Sequence, residues 1–403
     1  MDIFRYFKGN WRTPEAFLIV TSIAMPLSMS TWMALINNFA VERAAFTGVE
    51  WGMLQSLREI PGFLAFGVVL VLLLMREQRL ALISLLFLGI GTALTGLFPF
   101  VVGLYATTVL MSMGFHYFET VRQSLALQWI DKKDAPHFLG QIIAVGSFAS
   151  LIAFALIWLV LDLGGFSIEL VLYVGGGITI ALTLFCWVTF PKFPEHVEQH
   201  KKLFLRRRYW LYYLITFMAG ARRQIFIVFA GFLMVEKFGF DAAAIALMFL
   251  ANGALNMFIA PKIGKFIARW GERRALSLEY IGLIGVFTAY AFVDTAWIAV
   301  ALYIIDHMFF AMAIAIKTYF QKIADPADMA SQAGVAFSIN HVAAVIMPVA
   351  FGFLWLVSPS YVFLCGTAIA VMSLGLVRLI PENPSPENVA VIGRYKQAVS
   401  PAE

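Results

Sequence analysis

Charged residues are scarce in this chain of 403 residues: Asp, Glu, Lys and Arg make up only 13% of it, whereas hydrophobic residues make up 61%. Soluble domains usually contain about 25% charged residues. The mean hydropathy of +0.83 therefore indicates an integral membrane protein. Cysteine is also rare. Cys186 and Cys365 each lie inside an apolar stretch, which argues against a disulfide framework, a metal–cysteine site and redox chemistry.

The alternating segments that mark an outer-membrane barrel are missing as well. Apolar runs of about 18 or more residues recur instead, and they predict an all-α membrane protein. The first run is too long for a cleavable signal peptide, so we interpret it as a retained span. The runs predict twelve transmembrane helices, at 15–40, 51–75, 80–98, 101–127, 140–161, 170–190, 209–235, 243–263, 275–293, 297–320, 333–356 and 360–379.

The distribution of positive charge predicts the orientation of these spans. If both termini are cytoplasmic, Arg43 and Lys237 are the external exceptions among the 29 Lys and Arg, and most of the others lie in cytoplasmic segments. Cytoplasmic loops of membrane proteins carry such an excess of Lys and Arg. We therefore expect a multi-pass protein of the bacterial inner (plasma) membrane with both termini in the cytoplasm.

The chain is predicted to divide into two halves. A basic linker falls near its middle, and the predicted parts are a six-helix bundle at 1–190, the linker at 191–208, a second bundle at 209–380 and a cytoplasmic tail at 381–403. His196 and His200 in the linker could suggest a metal site, but a solvated charged linker is the simpler interpretation.

An internal repeat supports this division. One constant register shift matches Asp131 with Asp325, Asp134 with Asp328, and Gly140 with Gly334. Two parallel repeats of six spans imply a pseudo-two-fold axis along the membrane normal.

This organisation resembles the major facilitator superfamily of secondary transporters. The loop after span 8 is similar to the family's G-x-x-x-D-R-x-G-R-K gating loop, with Ala268 in place of the aspartate. The matching residues are Gly264, Arg269, Gly271, Arg273 and Arg274. The resemblance implies that spans 1, 4, 7 and 10 line a central cavity and that the protein works as a monomer. The corresponding first-half loop, 75–79, lacks the glycine and the aspartate.

The polar residues inside the spans fit a division between spans that line the cavity and spans that face outward. Predicted spans 3, 6 and 12 contain no ionisable side chain inside the hydrocarbon, and span 9 has only Glu279, near its cytoplasmic end. The candidate substrate-binding residues are Arg222, Arg223, Gln224, Arg58, His116, Asn252, Asn340 and His341.

Arg222 and Arg223 lie near the middle of span 7. A central arginine costs roughly 2.5–3.5 kcal/mol on insertion, so we expect the two to face a water-filled cavity or to join a buried ion-pair network. A polar stripe with Thr216 and Gly220 favours Arg223 for the cavity, whereas the repeat matches Arg222 with Ser28 on the polar stripe of span 1. Both alternatives stay open.

The candidate proton carriers are Glu119, Asp306, His116 and Glu59. One face of span 4 carries polar residues at helical spacing, namely Ser112, His116, Glu119 and Gln123. This face contacts either the substrate or an interhelical hydrogen-bonded cluster. Arg58 and Glu59 project about 100° apart on span 2, so we expect each to pair elsewhere. We expect Asp306 to pair with an arginine of span 7.

Charge balance indicates the substrate class. Inside the spans, cationic side chains outnumber acidic ones. The cations are Arg58, Arg122, Arg222, Arg223 and Lys317, and the acids are Glu59, Glu119 and Asp306. Guanidinium groups bind carboxylate and phosphate bidentately, so a positive surplus favours a small organic anion. Arg122 and Lys317 lie nearer the cytoplasm and could instead extend to the membrane surface.

We therefore expect a proton-coupled secondary transporter that moves a small organic anion by alternating access. The alternative is a proton-driven exporter of drugs or amphipathic metabolites, suggested by the aromatic spans and by Phe309 and Phe310 beside Asp306. No enzymatic activity and no metal site are expected, because the six histidines show no ligand spacing within a span. No cofactor and no nucleic-acid partner are expected either. A receptor built on a transporter fold is a further possibility.

Overall fold

The computed structural model describes residues 6–7, 9, 11–72, 74–130, 135–194, 205–325 and 329–392. Within this part of the chain the regular elements are helices, apart from an isolated bridge between Ser385 and Asn388. Some predicted features lie outside the described residues. They are Asp131, Asp134 and Asp328 of the repeat, the linker at 195–204 with its two histidines, and the tail beyond 392.

The α-helices of the described ranges follow one another with short connections. In chain order they are α1 (Pro14–Asn38), α2 (Gly48–Phe63), α3 (Val68–Leu72), α4 (Glu77–Thr95), α5 (Val101–Trp129), α6 (Ala135–Asp162), α7 (Ile168–Thr189), α8 (Trp210–Gln224), α9 (Gly231–Glu236), α10 (Ala242–Trp270), α11 (Glu272–Ala291), α12 (Ala296–Phe310), α13 (Ile314–Ile323), α14 (Met329–Val357) and α15 (Pro359–Val377).

Several α-helices are extended or joined by other helical turns. α1 continues as a π-helical segment, Phe39–Arg43, and α8 continues as another, Ile225–Ala230. Short 3₁₀ segments lie at Leu64–Gly67, Arg207–Tyr209 and Ala311–Ala313. The π-helical segment in predicted span 7 directly follows Arg222, Arg223 and Gln224, and such segments are frequent at functional sites.

Local sequence explains where the helices begin. Thr13 accepts a hydrogen bond from the Ala16 amide at 3.3 Å, and Pro14 occupies the first turn of α1. A capping box starts α2, where the Thr47 amide donates to Glu50 Oε2 at 2.9 Å. Gly271 separates α10 from α11 with a φ of 80°, a left-handed conformation that favours glycine.

Ten helices in the described ranges are long and apolar enough to cross a membrane. Predicted spans 2 and 9 are not among them. Span 2 falls on α2 and α3, which the 3₁₀ segment interrupts, and span 9 falls on α11, which carries Glu272, Arg273, Arg274 and Glu279. The all-α membrane fold is confirmed, whereas the number of twelve spans remains a prediction.

The chain forms two compact units. The first comprises Met1–Gln199 and Val235–Gly253, and the second comprises His200–Met234 and Ala254–Glu403. The segment from Val235 belongs to the first unit because it packs there: Asn38 Nδ2 donates to Phe240 O at 2.7 Å, and Phe249 stacks on Phe154 at 5.3 Å. The predicted bundle boundaries at 190 and 209 therefore stay predictions.

Glycines allow close helix packing within the first unit. α4 packs against α5 and α7, and α1 packs against α6 and α7. A Cβ atom on Gly114 would collide with the backbone of Ser84 and Leu88, and one on Gly91 would collide with that of Met111. In the second unit α11 packs against α15 and α8 against α14. Because the helices within each unit pack closely, polar side chains on neighbouring helices can contact one another.

Candidate functional site

Arg58 and Glu59 form an ion pair with each other in the first unit. Arg58 Nη2 lies 2.6 Å from Glu59 Oε1, and both side chains are largely buried. The expectation that each pairs elsewhere is wrong. The two Cβ atoms project in different directions, but the Arg58 side chain is long and flexible enough to reach around the helix to Glu59.

Residues of α1 and α5 surround this pair. Trp32 places its ring 5.8 Å from the Arg58 guanidinium carbon, and the Ser112 hydroxyl donates to the Arg58 carbonyl. A ring nitrogen of His116 lies within 4.8 Å of a Glu59 carboxylate oxygen. Trp32 Nε1 and Gln55 Oε1 are buried and have no hydrogen-bond partner among the described residues. Three predicted site residues, Arg58, Glu59 and His116, are thus brought together.

Glu119 and Arg122 form a second pair on α5. Glu119 Oε1 lies 2.7 Å from Arg122 Nη2, and Arg122 Nη1 donates to Ser22 Oγ on α1 at 3.1 Å. The Glu119 side chain is 35% exposed and that of Arg122 is 13% exposed. Arg122 therefore bridges two helices and its head group contacts protein. Gln123, which the helical spacing assigned to the same face as Glu119, is exposed.

Arg222 is buried in the second unit and pairs with Glu279. The distance between Arg222 Nη2 and Glu279 Oε1 is 2.8 Å, and their side chains are 3% and 0% exposed. Tyr280 lies below the guanidinium, with 5.3 Å between the ring centroid and the guanidinium carbon. Glu279 therefore takes the position that the sequence assigned to Asp306, as the partner of a span 7 arginine.

Asp306 of α12 lies near this pair. Its side chain is buried, and its charge interacts with those of Arg222 and Glu279. The neighbouring His307 is engaged elsewhere: its Nδ1 lies 3.0 Å from Tyr303 O, and its ring contacts Tyr303 and Phe226.

Sequence reasoning missed Glu279 because it placed this residue near the cytoplasmic end of span 9. α11 begins at Glu272, so Glu279 lies roughly two helical turns inside the helix. The sequence did contain a signal, since Glu279 is the one ionisable residue in that predicted span. With Glu279 counted as an intramembrane acid, the positive surplus within the spans is one charge smaller than the sequence indicated.

Arg223 has different surroundings from Arg222, because its side chain is exposed. The next residue, Gln224, is buried, and its Oε1 has no hydrogen-bond partner in the described ranges. Asn252, in the first unit, is also buried, and neither atom of its amide group has a partner within the described chain. Gln224 and Asn252 thus offer buried polar atoms for which water or solute could supply partners.

Two further candidates lie on α14. Asn340 Nδ2 donates to Ala336 O at 3.2 Å, and His341 Nδ1 lies 2.9 Å from Phe337 O. A Cβ atom on Gly220 would be 2.7 Å from Asn340 Oδ1, so α8 and α14 approach closely at this point. Both polar residues are therefore anchored to their own helix.

The residues of the predicted gating loop lie at the junction of α10 and α11. Gly264 and Arg269 belong to the end of α10, Gly271 forms the junction, and Arg273 and Arg274 lie in the first turn of α11. The Gly271 carbonyl accepts a hydrogen bond from Ala275 N at 3.1 Å. Glu272, which the sequence analysis did not single out, is buried and pairs with Lys322 of α13 at 2.8 Å.

Comparison with known proteins identifies the family. The family model of the Major Facilitator Superfamily matches residues 16–348. A search of curated proteins found no match.

Solved structures share the fold. The nucleoside transporter NupG is 15% identical over 91% of this chain and 98% of its own, with a TM-score of 0.74. A bacterial homologue of the human lysosomal transporter Spinster is 14% identical over 96% of this chain and 98% of its own, with a TM-score of 0.75. An auto-inhibited peptide transporter of the POT family is 12% identical over 96% and 99%, with a TM-score of 0.67. The chain therefore belongs to the major facilitator superfamily of membrane transporters.

Proposed function

We propose that this protein is a proton-coupled secondary transporter that carries a small organic anion by alternating access. It would act as a monomer in the bacterial inner membrane with both termini in the cytoplasm. The observation that carries the proposal is the exposed Arg223 side chain in predicted span 7, beside an Arg222 whose charge Glu279 balances.

The argument for an anion rests on the cost of an arginine in lipid. At the centre of a bilayer that cost is roughly 2.5–3.5 kcal/mol on insertion scales, so an exposed guanidinium at this depth faces water rather than hydrocarbon. A guanidinium in a confined aqueous space attracts a carboxylate or phosphate and binds it through two parallel hydrogen bonds. Arg223 is thus the proposed anion ligand, with Gln224 beside it.

The export alternative receives less support. Phe309, one of the two residues that suggested it, packs its ring against Gly282 of α11, where a Cβ atom would collide with that ring. The rings of Phe226 and Tyr303 stack on each other, with 5.1 Å between their centroids. Both residues are buried. Side chains that fill a helix interface do not form an open aromatic surface for a drug, so we favour the anion.

Thermal stability of the purified protein tests the anion site. We expect a carboxylate or phosphate from a panel of small anions to raise the melting temperature of the wild type and to have no effect on Arg223→Gln. At about 100 times Kd, a ligand stabilises the folded state by about 2.7 kcal/mol. Arg378→Gln is the matched control, because Arg378 is an exposed arginine outside the proposed site.

Two outcomes would overturn the anion proposal. One is equal stabilisation of the wild type and Arg223→Gln by the same anion. The other is a response to lipophilic cations alone, which would bring the export alternative forward. Uptake of the stabilising anion into proteoliposomes, with and without an inward proton gradient, then tests transport and its coupling to protons.

A further inference from the structure

The chain that follows α15 folds back on itself as a compact loop, residues 380–391. At its tip Ser385 and Asn388 exchange backbone hydrogen bonds of 3.3 and 3.0 Å. At its base Val391 N donates to Leu379 O at 2.8 Å, so the two ends of the loop meet. The loop contains three prolines, which restrict the backbone before it folds. Compact surface loops with neighbouring ends are frequently functional.

Two side chains from elsewhere in the second unit hold this loop. The Tyr319 hydroxyl of α13 donates to Val389 O at 2.6 Å, and Tyr319 is 0% exposed, so water does not compete for this hydrogen bond. Arg208 Nη2 donates to Pro386 O at 2.7 Å and to Ile323 O, at the end of α13, at 3.4 Å. Arg208 belongs to the 3₁₀ segment directly before α8. The loop therefore joins the end of α13 to the chain that enters α8.

α13 is a separate piece of predicted span 10. The 3₁₀ segment Ala311–Ala313 lies between α12 and α13, and such a segment inside a helix often marks a hinge. Phe320 of α13 stacks on Tyr212 of α8 at 4.2 Å, but apolar contact is non-directional. The pair of Lys322 with Glu272 adds little, because the Lys322 side chain is 50% exposed. The hydrogen bonds to the loop thus fix the position of α13.

The first unit has a related arrangement without the hinge. Trp129 Nε1, at the end of α5, donates to Pro194 O at 3.0 Å, in the segment that follows α7. Gln78 Nε2 donates to Pro191 O of the same segment at 2.9 Å. In each unit, the segment after the sixth predicted span thus contacts the end of the fourth. α5 is uninterrupted, so its end has no hinge about which to move.

We propose that loop 380–391 is a clasp that fixes α13 against the start of α8, and that its release lets α13 swing about the 3₁₀ segment and open this end of the second unit. Its role in transport rests on the proposed alternating access, in which one end of the protein has to open. The clasp would set how readily that end opens.

The contacts of the clasp suit a reversible catch. Release exchanges hydrogen bonds to the Val389 and Pro386 carbonyls for hydrogen bonds to water, and such an exchange has a small net free energy. Segments held in this way open locally while the rest of the protein stays folded. α13 can therefore be released and held again without unfolding of its neighbours.

Hydrogen–deuterium exchange of the purified full-length protein tests the clasp. We expect the amides of α13 to exchange about two- to ten-fold faster in Arg208→Gln/Tyr319→Phe than in the wild type, with α12 unchanged. Tyr290→Phe is the matched control. Tyr290 is also buried and its hydroxyl donates to Ala299 O at 2.7 Å, but that hydrogen bond joins α11 to α12, before the hinge. Its loss should leave exchange in α13 unchanged.

A thiol at a buried position of α13 reports whether this end opens. Ala315 is 0% exposed. Ala315→Cys should react with N-ethylmaleimide about two- to ten-fold faster when Arg208→Gln and Tyr319→Phe are also present. The same variants without Ala315→Cys give the background from the two native cysteines.

The clasp is overturned if exchange in α13 is the same in the double variant and the wild type, or if Ala315→Cys reacts equally fast in both. An equal rise in α12 and α13 would also overturn it, because the whole unit would then have loosened. If the double variant does not fold, Tyr319→Phe alone, which lacks one oxygen atom, replaces it under the same criteria.

Both measurements are made without solute, so they are independent of the anion assay. Release of α13 in a protein that no anion stabilises would reject the proposed substrate class and keep the clasp. Anion binding at Arg223 with no change in α13 would reject the clasp alone.

Discussion

Adjacent arginines of one helix have different surroundings in this protein. Successive residues of an α-helix project about 100° apart, so Arg222 and Arg223 reach different surroundings. Arg222 is 3% exposed and bound to Glu279, whereas Arg223 is exposed. At the residue scale, burial distinguishes a structural charge from a candidate ligand.

Arg222→Gln should strongly destabilise the protein. The substitution leaves Glu279 and Asp306 buried without a cation, and breaking a buried pair from one side typically costs about 3–5 kcal/mol. Glu279→Gln should cost less, because Arg222 then keeps Asp306 as its counter-charge. Thermal or denaturant unfolding of the purified protein measures both variants.

The double variant Arg222→Gln/Glu279→Gln separates charge from packing. It removes one cation and one acid together, so it should be more stable than Arg222→Gln alone. Lys317→Gln is the control, because Lys317 is exposed and its substitution should change stability little. Equal stability of Arg222→Gln and the wild type would contradict a buried ion-pair role for Arg222.

At the scale of elements, neighbouring glycines of α7 differ in their contacts. A Cβ atom on Gly176 would come within 2.6 Å of the Ala93 amide nitrogen on α4, whereas one on Gly177 would meet no atom within 4 Å. Close packing of α4 on α7 therefore depends on one of the two glycines.

Gly176→Ala should reduce stability and Gly177→Ala should not. Overpacking of a tight interface costs about 1–3 kcal/mol, and replacing glycine by alanine inside a helix gains up to about 1 kcal/mol. The two variants lie on the same helix and control for each other in one unfolding experiment. A loss of stability in Gly177→Ala as large as that in Gly176→Ala would refute the packing argument.

The junction of α10 and α11 depends on backbone conformation instead. Gly271 has a φ of 80°, and a Cβ atom there would meet no other atom within 4 Å, so its requirement is conformational. Gly271→Ala should cost about 1–3 kcal/mol. Gly264→Ala, in the same predicted loop but within α10, should be neutral or stabilising, and a melting curve compares the two.

At the scale of the whole molecule, the orientation in the membrane is the proposal with the simplest test. Lys237 follows α9 and Arg274 lies at the start of α11, and both are exposed. An impermeant thiol reagent should label Lys237→Cys in intact cells and Arg274→Cys only in inverted vesicles. Cys186 is buried and Cys365 is partly buried, so the wild type serves as the unlabelled background. The opposite labelling pattern would place both termini outside.

The amino-acid sequence by itself determined the class of this protein. Hydropathy and the length of apolar runs depend on composition along the chain, so they predicted a helical membrane protein, and the polar loop after span 8 indicated the family. Ten apolar helices among the described residues and the family match over residues 16–348 agree with that prediction. Predicted spans 2 and 9 are not among these ten helices, because charged side chains or a 3₁₀ segment interrupt them.

Only the tertiary structure decided which charges are paired. Glu59 turned out to be the partner of Arg58, and Glu279 that of Arg222. Helical spacing fixes the direction in which a Cβ atom projects, but an arginine head group lies several bonds beyond it and reaches whichever carboxylate the packed helices bring near. The pattern of polar residues could therefore mark the helices that carry the site, whereas the pairing of those residues required the positions of neighbouring helices.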